Sequence, residues 1–362
     1  PDWSRGLGDV YKRQMWVTAI IGIATKFFTC TLSVMYREKT KEGEIFGGPM
    51  YVIKNGLPKR MLPLAYFFAF AGMIGCLPAF QSNQLIQITG DLAFSEIENF
   101  NIFGGLALAG ITGIVVIGGL KRIAEVATFL VPLMGSIYFG AMLIALILNL
   151  DLVLPAFKLI LVDAFNGTAV AGGTFFGVLI YGVRRGAFSN EAGMGTESLV
   201  HGVAKVSNPV KQGLVAMTGP IFDTLIICTA TALMILVSGV WETSSSQGVT
   251  LTAEAFSILL GNFGGLILFT CVICFGLSTI FTYSYYGASC SRFLFGNFGM
   301  KFYIYLYIFS IFIYSIVPID IAINIADGAF ALMAIPTLIS ALWLAPKVMQ
   351  ASKNYFKLVD NI

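Results

Sequence analysis

Long uninterrupted apolar runs dominate this chain of 362 residues. A helix needs roughly 20 apolar residues to cross the hydrocarbon core of a bilayer. Nine runs have about that length, near 15–35, 62–88, 102–120, 123–149, 168–184, 213–240, 262–290, 301–318 and 319–347. They are continuous blocks, whereas the strands of a membrane β-barrel alternate between lipid-facing and lumen-facing residues. With 57% hydrophobic and 11% charged residues, the chain has too little polar surface for a water-soluble globule. The sequence therefore predicts an all-α, polytopic membrane bundle.

Basic residues are concentrated in alternate connections between these runs. Of the 22 Lys and Arg, 17 fall in one set of connections, 36–61, 120–122, 184–212, 291–301 and the tail after 346, whereas the opposite set carries only Lys158. By the positive-inside rule, the first set is cytoplasmic. We therefore expect a multi-pass protein of the cell membrane, plasma or inner, with a cytoplasmic C-terminus.

The termini are expected to differ from the transmembrane domain, which we place at 15–353. The segment 1–14 carries Arg5, Lys12 and Arg13 on what would be the external side, and Met15 begins an apolar span abruptly without a signal-peptide layout. We expect 1–14 to be foreign sequence joined to a truncated coding region, a genuine short tail being the alternative. The segment 354–362 is predicted to be a cytoplasmic tail.

The segment from Gly182 to Gly195 combines glycine with charge and follows a run that contains Gly172, Gly173 and Gly177. In a bilayer, backbone that leaves the helix must find partners in protein, ion or substrate. Carriers use such broken helices to bind their cargo. The glycine-broken run and the segment after it are therefore candidates for a transport site.

Three ionisable residues lie within predicted spans: Lys26, Asp223 and Asp327. Each costs at least about 2.5 kcal/mol to insert at bilayer depth, so each is a functional candidate. Asp223 or Asp327 is the expected partner of Lys26 across the bundle. The alternative is that such ion pairs only fix helix packing.

Two clusters of polar residues are candidates for binding a solute or an ion. The amides of Gln81 and Asn83 offer donors and acceptors without net charge, which suits a zwitterionic or neutral polar solute; the alternative is a water-exposed helix end. Adjacent hydroxyls at Ser278 and Thr279 can supply oxygens to a small hard cation, although such hydroxyls often bond to their own helix.

Other classes of function find little support. Cys271 and Cys274 have the spacing of a metal or redox pair, but their neighbours are apolar and packing is favoured. An intramembrane enzyme needs clustered acids, histidines or metal ligands at the membrane surface, and the chain has one histidine and no such motif, so we predict that it is not an enzyme. Nothing indicates a nucleic-acid partner, a protein partner or a metal ion other than the small hard cation that Ser278 and Thr279 suit. Residues alone do not separate a carrier from a channel.

Several motifs occur together in order along 15–353. They are Met15-Trp16, Ala24-Thr25-Lys26-Phe27, Tyr36-Arg37, Gly47-Gly48-Pro49-Met50-Tyr51, Gln81 with Asn83, Phe188-Ser-Asn-Glu-Ala-Gly193, Asn208-Pro-Val-Lys-Gln-Gly-Leu214, Asp223-Thr224, Cys228-Thr229, Ser278-Thr279, Ser284-Tyr-Tyr-Gly287, Asp327 and Leu332-Met-Ala-Ile-Pro336. Together they resemble the alanine or glycine:cation symporters, also called sodium:alanine symporters.

The resemblance implies a leucine-transporter-type fold of two inverted five-helix repeats, with the nine spans as core helices two to ten. The first core helix and a leading helix are then expected to be missing. The implied substrate-binding residues are Gln81, Asn83, Gly172, Gly173, Phe175 and Phe176, and the implied sodium ligands are Ser278 and Thr279. Gating or coupling is implied for Lys26, Arg184, Arg185, Asn190, Glu191, Asp223 and Asp327. The implied function is sodium-coupled import of a small neutral amino acid, alanine or glycine, through the lipid bilayer.

Two alternatives stay open. One is a proton-coupled carrier of another small solute, with Asp223 or Asp327 as the proton site; the other is a truncated product that transports nothing. The chain also departs from the pattern of the family at three places. Leu77-Pro78 replaces a Gly-Asn pair, Thr29 replaces a glutamate, and Ile180 replaces an arginine. The loss of the glutamate at position 29 implies that Lys26 needs a carboxylate from another helix.

Overall fold

The computed structural model describes residues 7–40, 43–94, 96–162, 183, 186–244, 246 and 248–359. The predicted span at 168–184 lies outside the described residues except at Val183. The predicted tails 1–14 and 354–362 are only partly described, since the first helix begins at Leu7 and the last ends at Val359.

The first half of the chain is helical apart from one small hairpin. Its helices are α1 (Leu7–Met35), α2 (Pro49–Gly56), α3 (Leu62–Gly75), α4 (Ala79–Ala93), α5 (Phe100–Val116), α6 (Gly119–Leu148) and α7 (Leu150–Val162), with a 3₁₀ turn at Lys59–Met61. Between α1 and α2, strands β1 (Glu38–Lys39) and β2 (Ile45–Phe46) pair antiparallel, with Glu38 opposite Phe46.

The second half is also helical. It contains α8 (Thr196–His201), α9 (Pro209–Pro220), a π-helical segment (Ile221–Cys228), α10 (Thr229–Ser238), α11 (Val240–Thr243), α12 (Gly248–Leu260), α13 (Asn262–Ile316) and α14 (Ile319–Val359). Residues 186–190 are helical as well.

Within the described ranges, six helical stretches are long and apolar enough to cross a membrane: Met15–Met35, Lys59–Ala93, Gly119–Leu148, Pro209–Ser238, Phe263–Ile316 and Ile319–Leu358. The predicted span at 102–120 is present as the shorter apolar helix α5, and α12 is a second apolar helix of this kind. Exposed large side chains such as Phe103, Phe129 and Leu342 lie on these helices and suit contact with lipid. The prediction of an all-α, polytopic membrane protein is therefore confirmed.

The stretch Phe263–Ile316 contains a reversal of the chain at Gly296, whose φ of 67° and ψ of −158° are not helical. The two halves of α13 pack against each other, because Tyr307 Oη donates to the carbonyl of Ile280 at 2.6 Å and the Tyr303 ring lies against Gly287. In a continuous straight helix these residues would lie tens of ångströms apart. The reversal accounts for the two spans predicted at 262–290 and 301–318.

The stretch Lys59–Ala93 is interrupted between α3 and α4. Pro78 lacks an amide hydrogen and disfavours helical backbone at Leu77, so the helix ends after Gly75 and restarts at Ala79. The span predicted at 62–88 is present within this stretch, and the break inside it was not predicted. The break puts Gln81 in the first turn of a new helix, inside the spanning stretch.

Helix α1 runs antiparallel to α9 and α10. Trp16 Nε1 donates to Thr229 Oγ1 at 2.7 Å, and Thr31 lies directly against Gly213 at the other end of α1. A glycine at 213 lets the two backbones approach closely, which is typical of helix packing in membranes. This packing places Lys26 opposite the start of the π-helical segment.

Candidate functional site

Side chains from five parts of the fold enclose a cavity of about 250 Å³. Helix α1, the segment after residue 186, α8, the π-helical segment and α13 all contribute. The lining residues are Lys26, Ser189, Asn190, Glu191, Glu197, Val200, His201, Asp223 and Tyr286. Four of the expected gating or coupling residues, Lys26, Asn190, Glu191 and Asp223, are thus brought together around one space.

Lys26 is buried, and its ammonium group and the Asp223 carboxylate both lie beside Gly219. A Cβ added at Gly219 would lie 3.1 Å from Lys26 Nζ and 3.9 Å from Asp223 Oδ2, so glycine makes room for the ammonium. The ion pairs among the described residues, with N···O distances up to 4.0 Å, do not include Lys26. Asp327, the other expected partner, is half-buried on α14 and does not line the cavity.

Asp223 lies on a π-helical turn that follows a proline. Pro220 has no amide hydrogen, so the regular α-helical hydrogen bond to the preceding turn cannot form there, and the helix widens over Ile221–Cys228. The adjacent Thr224 is buried and its Oγ1 lies 3.0 Å from Ser189 Oγ. This bond connects the π-helical segment to the residues just before Asn190.

Glu191 lies in a tight turn between helical residues 186–190 and α8. Its φ of 53° is left-handed, and Gly193 and Gly195 also have positive φ. Tyr283 Oη donates to Glu191 Oε1 at 2.7 Å, and Thr196 Oγ1 donates to Oε2 at 2.9 Å. Both carboxylate oxygens of Glu191 are therefore engaged, and the carboxylate holds the turn against α13.

Gly195 closes this turn where three helices meet. A Cβ there would lie 2.6 Å from Pro49 Cγ, 2.7 Å from Thr337 Oγ1 and 2.9 Å from a ring carbon of Phe68. The positive φ of 89° and the crowding both require glycine. The glycines predicted to matter in this segment thus fix the shape of one wall of the cavity.

Glu197 was missed by the sequence analysis, yet its carboxyl group is the most buried in the cavity. Thr29 Oγ1 donates to Glu197 Oε1 at 2.9 Å, whereas Oε2 has no hydrogen-bond partner in the described part of the chain. Burial raises the pKa of Glu197 to about 7, partly offset by the charge of Lys26 and the bond from Thr29, while Glu191 raises the pKa further. A glutamate in the first turn of a helix is common, because the helix dipole stabilises a negative charge there, so this residue carries no distinctive signal in sequence.

His201 lies at the end of α8 on the same cavity. Burial lowers its pKa to about 4, and the nearby charge of Lys26 lowers the pKa as well. Gln212 Nε2 donates to His201 Nδ1 at 2.6 Å, which requires an unprotonated nitrogen there. The ring is therefore neutral at physiological pH.

The expected substrate-binding residues are described only in part. Gly172, Gly173, Phe175 and Phe176 lie outside the described residues, as do Arg184 and Arg185 of the expected gate. Asn83 Nδ2 donates to the carbonyls of Val317 at 2.7 Å and Tyr314 at 3.3 Å, where α13 ends. Gln81 is half-buried, and its side chain has no hydrogen bond to a described residue. Asn83 thus caps a helix, whereas the amide of Gln81 is available to a ligand.

The part of α13 that contains the expected sodium ligands packs against α4. Leu85, one turn after Gln81 on α4, would be 3.3 Å from a Cβ at Gly276, which precedes Ser278 by two residues on α13. Ser278 Oγ donates to the carbonyl of Phe275 at 3.0 Å. A hydroxyl that donates its proton keeps oxygen lone pairs for a cation, so Ser278 fits a sodium ligand chemically.

Comparison with known proteins matches residues 5–361 to the sodium:alanine symporter family. An uncharacterized transporter, YflA, from Bacillus subtilis is 37% identical to this chain, and the alignment covers 97% of this chain and 74% of that protein. The sodium/alanine symporter AgcS of Methanococcus maripaludis is 35% identical, with 96% of this chain covering 77% of that protein. A probable sodium/glutamine symporter, GlnT, of Bacillus subtilis is 33% identical, with 94% of this chain covering 71%. With these relatives and with its membrane-spanning helices, this chain belongs to the sodium:alanine symporter family, which comprises transporters and not enzymes.

Proposed function

We propose that this protein imports a small neutral amino acid, alanine or glycine, together with sodium, by alternating access. The observation that carries the proposal is the interrupted span between α3 and α4. It places Gln81 in a first helical turn, beside the part of α13 that contains Ser278. Broken helices with free amides and hydroxyls near mid-membrane are where carriers bind substrate and coupling ion.

Sodium and substrate are expected to bind in a linked way. Ser278 and Thr279 hold sodium, and Gln81 with Gly172, Gly173, Phe175 and Phe176 contacts the amino acid. A sodium ion that binds the outward-open state more tightly shifts the population toward that state. The amino acid then binds with higher apparent affinity, and inward movement of both follows the sodium gradient.

The cavity around Lys26 is expected to form part of the inner gate. In the proposed orientation, with the C-terminus cytoplasmic in the plasma or inner membrane, the 184–212 connection faces the cytoplasm. Asn190 and Glu191 lie where residues 186–190 end and the turn toward α8 begins. Arg184 and Arg185 are expected to act in the same gate. Lys26 and Asp223 couple the turn to α1 and the π-helical segment. Of the proposed gating and coupling residues within the described part of the chain, Asp327 is the least supported, because it does not line the cavity.

Uptake by purified protein in liposomes tests the proposal. Radiolabelled alanine, glycine and glutamine are offered under an inward sodium gradient, with potassium at equal ionic strength as the control. We expect sodium-driven accumulation of alanine or glycine above equilibrium. Gln81→Ala is expected to raise the KM for the amino acid, and Ser278→Ala to raise the sodium concentration needed for half-maximal uptake. Accumulation of neither amino acid with sodium contradicts the proposal.

A proton-coupled carrier is the second candidate, because Asp223 lines the polar cavity beside Lys26. It predicts accumulation driven by a proton gradient in the absence of sodium, abolished by Asp223→Asn. A third outcome, binding without transport of any solute, is expected of a transport-inactive truncated product.

A further inference from the structure

Opposite charges face each other across the cavity around Lys26. We propose that this cavity is a second binding site for the transported amino acid, in which Lys26 binds the substrate carboxylate and Glu197 and Asp223 bind its ammonium group. The inference rests on the proposed function, and it makes the cavity the site from which the amino acid leaves toward the cytoplasm. It is separate from the position of Gln81 and Ser278.

The separation follows from positions along α13. Tyr286 lines the cavity and follows Ser278 by eight residues on the same helix. A rise of about 1.5 Å per residue puts the cavity roughly 12 Å farther toward the reversal at Gly296. That reversal belongs to the 291–301 connection, which is cytoplasmic in the proposed orientation. A substrate released from the first site would meet the cavity on its way inward.

Lys26 supplies the positive side of the site. Lys26 is 7% exposed, and the described residues provide neither an ion-pair partner within 4.0 Å nor a hydrogen-bond acceptor for its ammonium group. An ammonium group on a largely buried side chain without close partners is costly, and a carboxylate is the group that compensates it best. The α-carboxylate of an amino acid provides such a group.

Glu197 and Asp223 supply the negative side. Glu197 is 4% exposed, and its Oε2 is buried without a donor among the described residues. Glu191 is already engaged by Tyr283 and Thr196, so it competes little for the ligand. The single positive charge of Lys26 does not balance the carboxylates of Glu191, Glu197 and Asp223, which line the same cavity. The ammonium group of a ligand would offset the excess negative charge.

The size and the remaining walls fit a small zwitterion. A volume of about 250 Å³ lies below the range of roughly 300–1,000 Å³ that is typical of sites for drug-sized ligands. Val200 and the ring of Tyr286 provide apolar wall. The cavity therefore suits a ligand of few atoms that carries both charges and a short side chain.

Transport kinetics measured separately at the two membrane faces test the site. Sodium-coupled uptake of labelled alanine by right-side-out vesicles gives the external KM. Uptake of labelled alanine by inside-out vesicles, whose cytoplasmic face meets the medium, gives the internal KM. Lys26→Met and Glu197→Gln are compared with wild type, with Lys121→Met, an exposed cytoplasmic lysine, as the matched control. Glutamine at 197 keeps the acceptor for Thr29 and the side-chain volume.

We expect both cavity variants to raise the internal KM about tenfold, the effect of losing one charged hydrogen bond, and to raise the external KM by a much smaller factor. Saturable uptake from the external face shows that the variants fold. Propionate and ethylamine, each carrying one of the two charges, are expected to inhibit wild type weakly from the inner face, and Lys26→Met is expected to remove the inhibition by propionate.

Three results overturn the inference. An unchanged internal KM in both variants means that the cavity holds only water. An equal rise at both faces means that Lys26 and Glu197 act in gating alone. If wild type shows no sodium-driven uptake at all, the proposed function fails and the exit site fails with it, whereas the first two results leave the proposed function standing.

Discussion

Thr29 Oγ1 donates a 2.9 Å hydrogen bond to Glu197 Oε1, joining the middle of α1 to the first turn of α8. The bond is buried and spans 168 residues of sequence. It is the only hydrogen bond from another element to the Glu197 carboxylate among the described residues, because Oε2 has none. Position 29, where the family pattern has a glutamate, thus meets a carboxylate from α8 in this chain.

Replacement of Thr29 by valine is expected to destabilise the protein by about 1–3 kcal/mol, because both oxygens of a buried carboxylate then lack a donor. Thr29→Ser keeps the hydroxyl and serves as the control, with a much smaller loss expected. The apparent unfolding temperature by circular dichroism checks both. Equal losses in the two variants would mean that the methyl group, and not the bond to Glu197, is what matters.

The pH dependence of stability is expected to contain two opposing contributions. The pKa of Glu197 rises from an ordinary 4.5 to about 7, so the folded state holds the extra proton and stability falls as pH rises between these values. The pKa of His201 falls from 6.5 to about 4, so stability falls as pH drops between these values. Between about pH 4.5 and 6.5 the two effects offset each other in wild type.

Two single variants separate these contributions. In Glu197→Gln, unfolding temperatures measured from pH 4 to 8 are expected to rise up to about pH 6.5 and then level off, because only His201 titrates. In His201→Gln they are expected to fall from about pH 4.5 to pH 7, because only Glu197 titrates. Curves parallel to that of wild type in both variants would show that other groups govern the dependence.

Much of the fold follows from apolar patterning, because helices in lipid must satisfy their own backbone and need a minimum length. The predicted runs at 15–35, 123–149, 213–240 and 319–347 correspond to spanning stretches. The break at Leu77–Pro78 is a local effect of proline within an apolar run, which a count of hydrophobic residues does not detect. The inverted-repeat relationship remains a prediction.

The candidate site was predictable only where a residue was unusual for its place. Lys26 and Asp223 stand out because they are charged within apolar runs, and both line the cavity. Glu197 does not stand out, since a carboxylate in the first turn of a connecting helix is ordinary, and only the packing of α8 against α1 buries it. Asn83 shows the reverse, as a polar residue that stood out in sequence and caps the end of α13.

The hairpin between α1 and α2 is expected to depend on Arg292. Its guanidinium donates to Glu44 Oε2 at 3.0 Å and lies 3.5 Å from the centre of the Phe46 ring. Arg292→Gln is expected to cost about 1–2 kcal/mol, since it removes both the ion pair and the cation–π contact. Limited proteolysis within 36–46 should become faster. The control is Glu125→Gln, which removes an exposed ion pair with Lys121 at 4.0 Å and should leave the cleavage rate unchanged. If the cleavage rate is also unchanged in Arg292→Gln, the prediction is wrong.

Gly195 is expected to be far less tolerant of alanine than Gly239, although both have left-handed backbone, with φ of 89° and 69°. At Gly239 a Cβ meets nothing within 4 Å, so alanine there costs only the backbone strain of about 1–2 kcal/mol. At Gly195 the Cβ also collides with Pro49, Thr337 and Phe68, and the turn that carries Glu191 must shift to relieve the overlap. We therefore expect Gly195→Ala to lower the unfolding temperature well beyond Gly239→Ala and to reduce alanine uptake, while Gly239→Ala keeps uptake near the wild-type rate. Equal losses of stability in the two variants would contradict the prediction. They would mean that backbone strain alone accounts for the cost of alanine at 195, without a contribution from crowding by Pro49, Thr337 and Phe68.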